Sequence, residues 1–163
     1  MTFKIHRSLQ DLMVPASFIS PHEMNPNNGD IEAIVESLAA NGCYRPIYAM
    51  RETGKIVAGH HLYTALVSHG HTEVPVIFLD HLDSKIDLRV LMADNKTAAN
   101  AKLDEALAVN VLDELESLFG TGFTEEELAE MKAVEASHWE SQKDDFADLE
   151  DVTCPKCGES FKP

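Results

Sequence analysis

The sequence predicts an α/β domain followed by a helical, acidic extension, and three observations carry that reading. Helically spaced and β-branched apolar runs alternate in the order helix, hairpin, helix, strand over residues 30–79. The 163 residues are 44% hydrophobic, enough for one compact core of ordinary size plus an appendage. Beyond residue 104 the acidic clusters Asp113-Glu114, Glu125-Glu126-Glu127, Asp144-Asp145 and Glu150-Asp151 mark a change of character.

Residues 12–19 are a short extended segment interrupted by Pro15, and the Pro-, Asn- and Gly-rich residues 21–29, centred on Asn25-Pro26, are a loop. Asp30 stands where a cap belongs. Ile31, Ile34, Val35 and Leu38 then recur at helical spacing until Asn41-Gly42, which predicts a helix over 30–40. Residues 46–50 and 55–58 are apolar, β-branched runs around Arg51-Glu52-Thr53-Gly54 and predict an antiparallel hairpin. Gly59-His60-His61 opens a helix that ends near His69-Gly70, and residues 74–79 form a third strand.

A further helical stretch begins at Leu88 and is expected to be interrupted by Asp94-Asn95. Residues 103–119 read as a helix with Leu107, Val111, Leu112, Leu115 and Leu118 on one face, closed by Gly120-Thr121-Gly122. Thr124 and Glu127 form a capping box that opens a last, short helix, and residues 136–152 read as polar and poorly packed. The expected division is 1–103 for the α/β domain, 104–135 for the helical extension and 136–163 for an acidic linker with a cysteine motif.

The formal charge of −15, from 28 acidic against 13 basic residues, repels a polyanion at long range. DNA would therefore be met through a local patch or a partner protein. No apolar run approaches the ~20 residues of a membrane span, and residues 1–10 lack a signal core. Three cysteines, two of them inside one short motif, are no disulfide framework, so a cytoplasmic protein is expected.

Three motifs carry chemistry. At Gly59-His60-His61 the glycine permits close backbone approach, and the free amides of a helix N-terminus attract an anion. Either histidine could donate to a phosphate or exchange protons, although neighbours in a first helical turn face different ways. The bland alternative is a turn glycine beside surface histidines. Asp94-Asn95-Lys96 offers a carboxylate and an amide oxygen for a hard cation and a lysine for a phosphate, but Asp and Asn are equally turn and capping residues.

In Cys154-Pro155-Lys156-Cys157-Gly158, two thiolates three residues apart can grip one tetrahedral Zn²⁺, with the remaining ligands from Cys43, His138 or a second copy of the chain in a homodimer. A redox dithiol is the competing reading. His69 and His71, beside Gly70, read as solvent-facing loop.

The segments LMVPASFISPHEMNPNN, SLAANGCYRPIYA, IVAGHH, HTEVPVIFLD and ADNKTAANAKLDEALA occur in an order that resembles the ParB N-terminal (ParB/sulfiredoxin) domain over about residues 8–118. The last of these, with GFTEEELAEM, resembles the phage-encoded and methyltransferase-linked branch. The resemblance implies a small mixed sheet with flanking helices and a pocket for CTP or ATP with Mg²⁺, used in relatives for binding, hydrolysis, phosphoryl transfer or nuclease activity. Carried onto this chain, it implies a nucleotide site at Gly59, His60, His61, Asp94, Asn95 and Lys96. Mg²⁺ would sit at Asp94 and Asn95, and His60 and His61 would be acid or base; the Zn²⁺ expected at Cys154 and Cys157 rests on the cysteine motif alone.

The chain departs from the family boxes. His60 stands at the glutamate position, His61 and Leu62 at the arginine positions, Ala98 at the arginine of the second box, and Asn27 at the arginine of the Asn-Pro-Arg loop. Arginine's bidentate fork is the strongest phosphate clamp a protein has, so these departures weaken triphosphate binding and hydrolysis. The alternative expectation is a non-enzymatic adaptor that dimerises or docks through its zinc knuckle on a DNA-processing partner. The residues after the domain are too few and too acidic for a helix-turn-helix reader.

Overall fold

A computed structural model describes residues 2–80, 85–147, 152–153, 155–157 and 159–161, with side chains beyond residue 137 described only at 155–157, 159 and 160. The chain divides into two compact units: residues 1–102 with 117–123, and residues 103–116 with 124–163.

The first unit is built on a four-stranded mixed sheet of order β1-β4-β2-β3: β1 (Met13–Pro15), β2 (Ile47–Met50), β3 (Ile56–Ala58) and β4 (Glu73–Leu79). The expected hairpin forms as β2 antiparallel to β3, with a register shift at Tyr48/Ala49, while β4 runs parallel to β2 and antiparallel to β1. Ile47, Ala49, Ile56, Val74 and Val76 on the strands meet Leu38 of α1 (Ile31–Asn41) and Leu62, Ala65 and Leu66 of α2 (His60–Ser68) in one core. Ile47, Ile56 and Leu66 are wholly buried, each stabilising by about 1.5–3 kcal/mol. Asp30 caps α1 as expected, its carboxylate accepting from the amides of Glu32 and Ala33.

The histidines after α2 differ from expectation. His71 Nε2 accepts the Phe3 amide at 2.8 Å, and the Phe3 ring lies 4.8 Å from His69 and 5.9 Å from His71. They fasten the N-terminal segment to the domain instead of facing solvent as a loop.

A second difference is α3 (Ile86–Asn100), which runs unbroken through Asp94-Asn95. Leu91 anchors its apolar side in the core, and the Asn95 amide bonds outward to another segment, so neither residue acts as a cap.

In the second unit, α4 (Glu105–Asp113) is shorter than the helix expected over 103–119. Its buried residues are Val109 and Leu112, whereas Leu107, Val111 and Leu115 are exposed. The last helix, α5 (Glu125–Ala147), is far longer than expected: no glycine or proline interrupts its 23 residues, and Ala, Glu, Lys and Met dominate its first half. The capping box is present, with Glu127 Oε2 accepting from the Thr124 amide at 2.8 Å and Thr124 Oγ1 from the Glu127 amide at 3.1 Å. A two-stranded hairpin, β5 (Val152–Thr153) antiparallel to β6 (Ser160–Phe161), follows.

Candidate functional site

The site begins where β3 ends. Gly59 takes φ +88°, a left-handed conformation that strains any residue with a Cβ, and its turn delivers the chain straight into α2. No side chain caps α2, so its first-turn amides are left for another partner. They open on a cavity of about 380 Å³ in the first unit.

Of the residues expected to form a nucleotide site, Gly59, His60, His61, Asp94 and Asn95 line this cavity. Lys96 does not: it follows Asn95 on α3, and its side chain is exposed elsewhere. The fold adds Asn25 and Asn27 from the loop after residue 20, and Arg45 from the segment leading into β2.

Most of these side chains hold that loop in place. His60 is 8% exposed, and its Nε2 accepts the His22 amide at 3.3 Å. Burial lowers its pKa, with the nearby His61 and His22 pushing the same way and a hydrogen bond to the Ile56 backbone and the Asp94 charge opposing. His61 Nε2 accepts the Gly29 amide at 2.8 Å. Asn27 Nδ2 donates to Asn95 Oδ1 at 3.2 Å, and Asn95 Nδ2 donates to Asn25 Oδ1 at 3.4 Å. His22, itself buried, accepts the Met24 amide at Nδ1 and places Nε2 3.5 Å from Asp87 Oδ2.

The two histidines thus point in different directions, as adjacent first-turn residues must, and both present a lone pair to a backbone amide. A ring nitrogen that accepts an amide is unprotonated. That is a clamp's chemistry, and a proton carried on Nε2 would remove it. The expectation that both histidines are surface residues unless functional misses this third use.

The donor set at Asp94 and Asn95 does not fit a protein-built cation site. The Asn95 amide is engaged on both sides, Asp94 is the sole carboxylate among the described lining residues, and no group of three or more His, Cys, Asp or Glu comes together among the described residues. For zinc, Cys154 lies outside the described residues, and Cys157 is an exposed free thiol in the turn at residues 155–157, between β5 and β6. Cys43 is buried in the first unit's core and donates to the Arg45 carbonyl, and burial raises its pKa, which disfavours the thiolate a metal needs.

Arg45 is the functional candidate that reading by motif misses. It is one of four arginines in the chain and stands directly before Pro46 at the start of a strand, but no local pattern ties it to Gly59. The connection is spatial, because Gly59 packs against the backbone of Ile47 two residues on.

No family model matches the chain, and no curated protein matches it. Among solved structures it is similar to the C-terminally truncated chromosome-partitioning protein ParB from Caulobacter crescentus complexed with CTP-gamma-S, at 23% identity and TM-score 0.46 over 73% of this chain and 68% of that one. The same Caulobacter protein complexed to the centromeric parS site is similar at 24% identity and TM-score 0.43, over 73% of this chain and 63% of that one. A Pnob8-like ParB-N domain is similar at 15% identity and TM-score 0.40, over 92% of this chain and 55% of that one.

Proposed function

We propose that the cavity at the β3–α2 turn binds a nucleotide or a nucleic-acid phosphate. One observation carries the reading: the left-handed turn at Gly59 opens the uncapped first turn of α2 onto a cavity that Arg45, Asp94 and Asn95 also line. Amides and a guanidinium suit an anion, while a carboxylate and an amide suit the hydroxyls and base edges of a nucleoside.

Binding fits the residues better than catalysis. His60 is buried and accepts the His22 amide, with burial lowering its pKa, and His61 is committed to the Gly29 amide, so neither is placed as a free acid or base. A divalent ion here would rest on the ligand's own phosphates and Asp94. The test is a calorimetric titration with CTP, ATP and ADP, with and without Mg²⁺, on wild type and Asn95→Ala. Saturable binding that Asn95→Ala weakens upholds the site, and no binding of any nucleotide by folded wild type refutes it.

A second reading, a non-enzymatic adaptor, is favoured by a separate observation: the β5–β6 pairing brackets the Cys-Pro-Lys-Cys motif in sequence, as a zinc knuckle requires. In that reading the second unit joins a DNA-processing partner or a second copy of the chain through the knuckle.

A further inference from the structure

We infer that the cavity at the β3–α2 turn selects a nucleotide with a single phosphate group, and that Arg45 is the residue that clamps it. The inference rests on the proposed function and narrows it, and three features of the site carry it.

The first is charge. Arg45 is the one cationic side chain among the described lining residues and Asp94 the one carboxylate, while His60 and His61 each present an unprotonated nitrogen to an amide. The lining therefore sums to a formal charge near zero, inside a chain that totals −15. A phosphate monoester carries about −1.5 to −2 at neutral pH, and each further phosphoryl group adds another negative charge. One guanidinium offsets at most about one of those charges, with the Asp94 carboxylate opposing it, so every further phosphoryl group adds a charge that the side chains of the lining leave without a partner.

The second is the state of Arg45 itself. Its guanidinium makes no hydrogen bond or ion pair with the described residues, in contrast to Arg51, which pairs with Asp80 at 2.7 Å. A planar fork of donors that is exposed and unpartnered at a cavity wall is free to take two oxygens of one phosphoryl group at once.

The third is size. About 380 Å³ is near the small end of the roughly 300–1,000 Å³ of ligand pockets, and the Asn25–Asn95–Asn27 bonds close the loop side of this one. In this arrangement a nucleotide lies with its phosphate toward Arg45 and its hydroxyls toward Asp94, a carboxylate that accepts from a sugar and, with no divalent ion between them, repels a second phosphate.

The chemistry recognised is a 5′-phosphomonoester on a nucleoside, either as a free mononucleotide or at the end of a strand. The experiment titrates wild type, Arg45→Ala and Arg45→Lys with CMP, AMP, the matching nucleosides and triphosphates, and a short oligonucleotide with and without a 5′-phosphate. The expected result is a monophosphate bound at least tenfold tighter than its nucleoside and its triphosphate. Arg45→Ala loses that tenfold while its melting temperature stays at the wild-type value, and Arg45→Lys restores part of it. Preference for the phosphorylated oligonucleotide over CMP and AMP assigns the strand end; the reverse assigns the free nucleotide.

A triphosphate bound tighter than the monophosphate, or an Arg45→Ala variant that binds like wild type, overturns the inference while leaving a nucleotide site standing. Absence of binding by every nucleotide and oligonucleotide removes the proposed function and this inference with it.

Discussion

Replacing His60 tests whether the histidine is a clamp or a catalyst. The imidazole is 8% exposed and accepts the His22 amide at 3.3 Å. In His60→Ala the His22 amide loses its acceptor and a cavity opens, and a buried polar group left unsatisfied costs about 1–3 kcal/mol on top of the cavity. A total loss of about 2–4 kcal/mol is expected for the first unit. His60→Gln keeps an oxygen near the position of Nε2 and is expected to lose about 1 kcal/mol.

The clamp also has a pH signature. Burial holds the native pKa of His60 below the ordinary imidazole value of about 6.5, so the unfolded chain takes up the proton first. Its contribution is therefore fully present above about pH 6.5 and lost as pH falls through that value toward the lower native one, with a slope of at most about 1.4 kcal/mol per pH unit for one proton. His71 is shifted in the same direction, mainly by burial, so among the described residues wild type carries two such contributions and His60→Gln one. Urea unfolding followed by circular dichroism at pH 7.5, 6.5 and 5.5 measures both effects. A His60→Ala loss under 0.5 kcal/mol, or equal pH slopes for wild type and His60→Gln, would refute the reasoning.

Further perturbations reach other parts of the structure. Gly59→Val places a β-branched residue at φ +88° with its Cβ 3.4 Å from Ile47 Cα, so a loss of about 1–2 kcal/mol or more and of nucleotide binding is expected; unchanged unfolding and titration curves would count against the turn. Gly29→Ala brings a Cβ to 2.6 Å from His61 Nδ1, so the ring must swing off the Gly29 amide, and hydrogen exchange at residue 29 is expected to accelerate while the core stays protected. Asp30→Ala removes the acceptor for two α1 amides and is expected to lower stability by about 1 kcal/mol in the same denaturation assay. Zinc measured by elemental analysis should accompany purified wild type and fall sharply in Cys157→Ser; a folded, metal-free wild type excludes the knuckle.

Where a structural signal spans a turn of helix or a hairpin, the sequence by itself determined the outcome. Asp30 as cap, Gly42 as stop, the β2–β3 hairpin, the Gly59 start of α2 and the Thr124–Glu127 capping box were all legible, because each is a contest between groups a few residues apart. The length of α3 and α5 was not. Asp94-Asn95 reads as a break by composition, but helix geometry tolerates both residues when packing of Leu91 holds the segment.

The candidate site was legible by half. Its motif residues could be named, yet their roles come from partners far away in the chain: His22 with His60 across 38 residues, Gly29 with His61 across 32, Asn27 with Asn95 across 68. Only the tertiary structure decided that the histidines clamp a loop, that Lys96 points away and that Arg45 reaches the cavity. The physical reason is that a side chain's protonation state and partner depend on which segments the packed core brings beside it, and local pattern carries no record of that.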